Sequence, residues 1–177
     1  MEVTDDLIQH YPKPLAGEGL PATRLGDLVQ AENMLVLHFL RHLGCAFCKH
    51  TVDQLRQLKE QMPRFPTIYF VHQSDIETGQ RFFAERWPGS SHISDPQTEL
   101  FRLFGIRRMG GLGLFDPRMV LATLRLQLKG YRNELGYGDV YLLSGTFLFR
   151  GGKLVWKHRA SFAGDDPNWG ILGKKPG

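Results

Sequence analysis

Residues 39–50, FLRHLGCAFCKH, decide how this chain is read. They hold the only two cysteines of a 177-residue sequence, Cys45 and Cys48, with two residues between them. Just before them, Met34 to Leu40 (MLVLHFL) is a nearly continuous apolar run, the pattern of a strand buried on both faces. After them, Cys48, Val52, Leu55, Leu58 and Met62 follow at helical spacing and mark one face of an amphipathic helix that Pro63 ends. The pair therefore falls where a buried strand turns into a long helix.

That position carries the chemistry. A separation of three on a helix puts both sulfurs on one side, where they can reach disulfide range with little backbone movement. Free amides and the helix dipole stabilise a thiolate at a helix start. Arg41, His42, Lys49 and His50 add positive charge, and each such neighbour lowers a thiol pKa. Cys45, nearer the open end, is expected to be the more exposed and to attack, with Cys48 resolving the intermediate. Phe47 is expected either to be an exposed apolar contact for a partner or to cover the helix start. A metal half-site is the competing reading. Zinc takes four ligands, the cysteines give two, and His42 and His50 are the nearest candidates to complete the set. No second CxxC exists, so no metal is expected.

Working outward, Thr67 to His72 (TIYFVH) reads as a second strand. Ser74-Asp75-Ile76-Glu77 is a capping-box pattern that starts a helix running to about Trp87. His92 to Ser94 reads as a short strand. Asp-Pro recurs at 95–96, 116–117 and 166–167, where Asp can accept free amides and Pro fits the first helical position, so helices are expected at about 96–104, 117–129 and 167–172. Thr146 to Phe149 and Lys153 to His158 form a hairpin around Gly151-Gly152. Residues 1–21, with Pro12, Pro14, Gly17, Gly19 and Pro21, read as an irregular arm. His38 and His72 lie in strand runs and are expected to be hydrogen-bonded core or edge histidines. His158-Arg159 reads as a surface pair at a sheet end, with a polar contact near the active face as the alternative. The glycine-rich RRMGGLGLF (107–115) has neither a GxGxxG nor a P-loop pattern. It reads as a mobile loop or, with the apolar 117–129 helix, as a homodimer contact.

Composition bounds the class. A 42% hydrophobic and 23% charged chain of this length is expected to form one domain, 1–177, with no need of disulfide staples. The net charge of +4 is spread among acidic residues rather than gathered in a stripe, which argues against nucleic acid. No run approaches membrane-spanning length. The opening MEVTDDLIQHYPKP has no apolar core, so a cytoplasmic location is expected, where a disulfide is transient or catalytic.

FLRHLGCAFCKHTVDQLRQLK resembles the active-site segment of peroxiredoxin-like proteins of the alkyl hydroperoxide reductase and thiol-specific antioxidant superfamily, in the branch that holds the peroxiredoxin-like 2 and selenoprotein L-like proteins. SDPQTELFRLFGI (94–106), GDVYLLSGTFLF (138–149) and VWKHRASFAGDDPNW (155–169) are similar to further stretches of that family. The resemblance implies an α/β, thioredoxin-like fold, a three-layer α/β/α arrangement on a mixed sheet with a peroxiredoxin-type insertion. It implies a thiol-disulfide oxidoreductase or peroxiredoxin-like peroxidase acting on a peroxide or disulfide through Cys45 and Cys48. It implies no bound cofactor and an external thiol donor such as thioredoxin or glutathione. In ordinary peroxiredoxins the attacking cysteine stands at the place of Cys48, with Thr at that of Cys45, so on the resemblance either sulfur can be the first to react. Their upstream Pro is Arg41 here. Where thioredoxins carry a cis-Pro this chain reads Ser144-Gly145, with Thr146 opening the strand behind, and the Arg that activates peroxide in true peroxiredoxins is not evident at 144 or 145; together these departures favour disulfide reduction or slow peroxidase activity. A thioredoxin-fold adaptor or metal-binding protein, using CxxC without redox turnover, is the alternative.

Overall fold

The apolar run after residue 33 becomes the middle of a six-stranded mixed sheet. The computed structural model describes residues 3–110, 117–134 and 138–173. In chain order the elements are α1 (Asp5–Gln9), β1 (Ala16–Glu18), α2 (Leu25–Gln30), β2 (Met34–Phe39), α3 (Ala46–Gln61), β3 (Thr67–His72), α4 (Ile76–Arg86), β4 (Ser91–Ser94), α5 (Glu99–Leu103), α6 (Pro117–Leu128), β5 (Gly145–Arg150), β6 (Lys153–Arg159) and a 3-10 helix (Trp169–Gly173). The sheet order is β1-β4-β3-β2-β5-β6. β2 pairs in parallel with β3, and β3 with β4. β5 runs antiparallel to β2, and β6 to β5.

Strand alternation sends successive side chains to opposite faces, and the core divides accordingly. Val36, Ile68, Phe70 and Leu148 pack with Val52 and Leu55 of α3, Phe83 of α4 and Leu126 of α6. Leu35, Leu37, Phe39, Tyr69, Val71 and Phe147 face the other way, onto Ile8, Leu25, Leu28 and Phe101. The result is a three-layer α/β/α arrangement of thioredoxin-like type, with β2 central and α3 leaving its C-terminal end. Phe39, the last residue of β2, sits against the rings of Phe101, Phe104 and Phe147 at 5.1, 5.0 and 5.6 Å. Burying a side chain of this size contributes roughly 1.5–3 kcal/mol. It also fixes the point from which the chain enters the cysteine segment.

Four details differ from the sequence reading. The opening residues are not irregular throughout: α1 forms, and β1 adds an edge strand antiparallel to β4. Glycine makes that pairing feasible, because a Cβ on Gly17 would lie 2.0 Å from the His92 carbonyl oxygen. Asp75 rather than Ser74 caps α4, its carboxylate accepting the Thr78 amide at 2.7 Å. Asp95 accepts the amides of Glu99, Leu100 and Phe101, so residues 96–98 form a turn and α5 starts three residues late. At the C-terminal end Asp166-Pro167 starts no α-helix. Asp166 turns to Thr51 of α3 instead, and only the short 3-10 helix follows. Asp116 and the glycines at 111 and 113 lie outside the described residues.

Candidate active site

Cys45 is the N-cap of α3, and Cys48 lies one turn into it. Both are free thiols and both are buried, Cys45 at 1% and Cys48 at 3% exposure. The expectation that Cys45 would be the more exposed is therefore wrong. Its cover is a strap of later residues. The Ala46 amide donates to Asn133 Oδ1 at 2.8 Å, and the Glu134 amide to the Gly44 carbonyl at 2.8 Å. Lys49 Nζ donates to the Glu134 carboxylate and to the Arg132 carbonyl, which ties the strap to α3. Phe47 is buried as well, at 7% exposure, against Gly164, where a Cβ would meet its ring at 2.5 Å. It covers the helix start and offers no exposed contact.

Arg41 is the residue that distinguishes the two sulfurs. Its Nη1 donates to Cys45 Sγ at 3.4 Å. Nε donates to the Leu142 carbonyl at 2.9 Å and Nη2 to the Val140 carbonyl at 2.6 Å. Arg41 is 6% exposed, and among the described residues no carboxylate lies within 4 Å of it. A buried cation held only by carbonyls is costly unless an anion joins it, and the sulfur of Cys45 is the group in place to become that anion. The Cys45 thiol is accordingly pushed down, first by the hydrogen bond from Cys48, then by the Arg41 charge and by the Phe47 and Cys48 amides, against the opposing effect of burial. The Cys48 thiol is pushed up, first by burial and then by the hydrogen bond to Cys45 and its charge. The two thiols are thus shifted in opposite directions.

Arg41 is itself fixed by residues that the sequence reading did not assign to the site. Gln73, at the end of β3, donates to the Arg41 carbonyl and accepts the Asp139 amide at 2.8 Å. Gly138 makes that approach feasible. Its φ is +119°, and a Cβ there would stand 2.9 Å from Gln73 Oε1. Gly138-Asp139 belongs to the stretch whose family resemblance was visible, but its link to residue 41 needs the folded chain. Gly138→Ala is expected to cost roughly 1–3 kcal/mol. At about 2–4 °C per kcal/mol for a chain of this size, thermal unfolding should show the loss directly. An unchanged melting temperature would refute the role of this contact.

The remaining predicted residues separate. Lys49 is at the site, but bound to Glu134. His42 is held neutral, its pKa lowered to about 4 by burial and by the Arg41 and Lys49 charges. The His50 pKa is also lowered, chiefly by burial, and its ring lies edge-on to Tyr131 at 5.2 Å. Neither histidine supplies the charge expected of it. Gly145 opens β5 opposite Phe39, Ser144 accepts the Ala160 amide through its carbonyl, and Thr146 Oγ1 lies 2.9 Å from His38 Nδ1. They shape the sheet end, and among the described residues no hydrogen bond joins them to either sulfur. His38 and His72 are core histidines bonded to Thr146 and His92, as expected. His158 Nε2 lies 3.0 Å from the Asp165 carbonyl oxygen, and Arg159 Nε donates to the Phe104 carbonyl at 2.7 Å. Asp166, whose pKa burial raises to about 6, accepts from Thr51 one helical turn beyond Cys48. Among the described residues no group of three or more His, Cys, Asp or Glu stands close enough to share an ion, and no helix is long and apolar enough to cross a membrane.

The sequence model of the AhpC/TSA antioxidant enzyme family matches residues 54–161, beginning just after the cysteine pair. No curated protein sequence matches the chain. Among solved structures, peroxiredoxin Q of Xanthomonas campestris is 18% identical with a TM-score of 0.54, over 90% of this chain and 85% of that one. A mutant of the peroxiredoxin PrxQ of Xylella fastidiosa is 18% identical with a TM-score of 0.52, over 90% and 86%. A Chlorobium tepidum protein described as a thiol:disulfide interchange protein, DsbE, is 15% identical with a TM-score of 0.52, over 84% and 81%. At these identities the likeness is one of fold.

Proposed function

The chain belongs to the AhpC/TSA antioxidant enzyme family of thiol-dependent oxidoreductases, and from that premise we propose that it reduces a peroxide or disulfide through Cys45 and Cys48, with Cys45 attacking first. The observation that carries this reading is the hydrogen bond from Arg41 Nη1 to Cys45 Sγ at 3.4 Å. With a peroxide, the Cys45 thiolate attacks the terminal oxygen, the O–O bond breaks, and the alkoxide or hydroxide leaves to take up a proton. Cys45 becomes a sulfenic acid. Cys48 then attacks that sulfur, water departs, and the Cys45–Cys48 disulfide forms. With a disulfide substrate, Cys45 forms a mixed disulfide that Cys48 resolves. Either cycle closes when an external dithiol or two molecules of glutathione return two electrons. No metal or prosthetic group enters these steps. Both sulfurs start buried, so the strap at 131–134 has to move for a partner thiol to reach the disulfide.

The alternative order, with Cys48 attacking as the resemblance to ordinary peroxiredoxins allows, is disfavoured by the raised Cys48 thiol. The test is the pH dependence of alkylation of the reduced protein by iodoacetamide, with each site mapped by mass. A lowered thiol is ionised at lower pH, so Cys45 should reach half its maximal rate well below the roughly 8.5 of a free cysteine, while Cys48 stays unreactive there. Preferential alkylation of Cys48 at neutral pH would reverse the assignment.

A further inference from the structure

The loop that holds Arg41 carries a carboxylate of its own. Val140 and Leu142 offer the carbonyls that accept Arg41 Nη2 and Nε, at 2.6 and 2.9 Å. The residue before Val140 is Asp139, whose side chain is only 21% exposed. Its charge reaches the active site. The His42 pKa, lowered by burial and by the Arg41 and Lys49 charges, is raised by Asp139.

A carboxylate so placed is a rival to Cys45. A buried cation gains most from an anion it can touch, and the arginine fork fits the two oxygens of a carboxylate better than a single sulfur. Were Asp139 to take Arg41, the Cys45 thiolate would lose its cation. Asp139 does not take it, because both of its oxygens are engaged elsewhere. Oδ1 accepts the Tyr141 amide at 2.9 Å, and Oδ2 accepts Arg108 Nη1 in an ion pair. Its backbone is held by Gln73, which accepts the Asp139 amide at 2.8 Å and donates to the Asp139 carbonyl at 3.2 Å.

Arg108 reaches Asp139 from the outer side of the same loop. The Leu143 amide donates to the Arg107 carbonyl at 2.9 Å, the Met109 amide donates to the Tyr141 carbonyl at 2.7 Å, and Arg108 itself pairs antiparallel with Leu142. These are backbone bonds, so they place the residue without using its side chain. The guanidinium is 64% exposed and, among the described residues, it is the one cation paired with Asp139. The loop is gripped by Arg41 and Gln73 on its inner side and by 107–109 on its outer side.

We propose that Arg108 is a positioning residue: by pairing with Asp139 it keeps that carboxylate from competing for Arg41, and so leaves the Arg41 guanidinium to Cys45 Sγ. The inference rests on the reading in which Arg41 sets the Cys45 thiolate. The other titratable groups around that pair are His42 from the turn after β2, Cys48 and Lys49 from α3, and Glu134 from the strap, with Lys49 and Glu134 bound to each other.

The test is the pH dependence of Cys45 alkylation by iodoacetamide, each variant scaled to its own plateau, so that changes in access drop out and turnover is not needed. Arg108→Gln keeps the backbone bonds of 107–109 and frees the Asp139 carboxylate. Its midpoint should rise by about one pH unit, which is about tenfold slower alkylation at a pH below both midpoints. Arg108→Lys should stay close to the wild type, because an ammonium still pairs with Asp139. The decisive variant is Arg108→Gln combined with Asp139→Asn. The amide side chain can still accept the Tyr141 amide but carries no charge, so the midpoint should return to the wild-type position. A midpoint unmoved by Arg108→Gln overturns the proposal. So does a rise that Asp139→Asn fails to reverse, since Arg108 would then act through the shape of the loop and not by occupying a rival. Arg41→Met, run alongside, separates the two levels. If it leaves the midpoint in place, the thiolate reading falls and the role of Arg108 falls with it. If it raises the midpoint while Arg108→Gln does not, only the role of Arg108 is lost.

Discussion

Cys45→Ser should lower peroxide- or disulfide-dependent turnover by roughly 10³-fold or more, the scale of loss seen when a nucleophile is removed. Cys48→Ser should behave differently. It should consume about one peroxide per chain and then slow, because the first oxidation needs only Cys45 whereas resolution needs both sulfurs. The asymmetry follows from the environment of each thiol. Cys45 has the Arg41 guanidinium at 3.4 Å, and the Phe47 and Cys48 amides favour its charged form. Cys48 is buried in the apolar cluster, and burial pushes its thiol up. Steady-state consumption of hydrogen peroxide with a regenerating dithiol, measured for both variants, checks the prediction. A burst retained by Cys45→Ser and lost in Cys48→Ser would exchange the two roles.

The second large effect is expected at Arg41. Replacing it with Met removes the only cation in contact with Cys45 Sγ among the described residues, and leaves the Val140 and Leu142 carbonyls without that donor. A lowered thiol pKa means that the thiolate predominates at neutral pH. Removing the cause raises the pKa, and once it exceeds the working pH each further unit costs about tenfold in thiolate. The alkylation midpoint of Cys45 should move up toward the roughly 8.5 of a free thiol, and the rate of peroxide reduction at pH 7 should fall by about 10²-fold. Arg41→Lys should lie between, since an ammonium keeps the charge but cannot span two carbonyls and a sulfur. Stopped-flow rates across pH for the three proteins decide this. A midpoint that stays in place in Arg41→Met would show that Arg41 does not set the thiolate.

Much of this site was legible in one dimension, and the reasons are local. The apolar run of β2, the two cysteines and the amphipathic face of α3 are contiguous, so the strand–thiol–helix junction can be read from residues 34–62 alone. Arg41 was visible as a positive charge four residues before Cys45, but its grip on the sulfur was not. It depends on carbonyls at 140 and 142, about a hundred residues away, brought in by the pairing of β2 with β5. The same distance hides the strap. Asn133 and Glu134 carry no motif, yet they close over the helix start on either side of Cys45, while Gly164 packs on the Phe47 ring, so neither residue is exposed. His42 and His50 misled because side-chain type suggests charge, whereas burial decides it. Asp166 misled for a similar reason: Asp-Pro can cap a helix, but here the carboxylate finds Thr51 instead. The edge strand β1 was missed because a three-residue segment, Ala16-Gly17-Glu18, is too short to show a periodicity.

The most direct test of the central claim is the intact mass of the reduced protein after brief exposure to hydrogen peroxide, for the wild type, Cys45→Ser and Cys48→Ser. The account predicts loss of two hydrogens in the wild type, gain of one oxygen trapped by dimedone in Cys48→Ser, and no change in Cys45→Ser. An oxygen gained by Cys45→Ser, or a wild type that remains fully reduced, would contradict it.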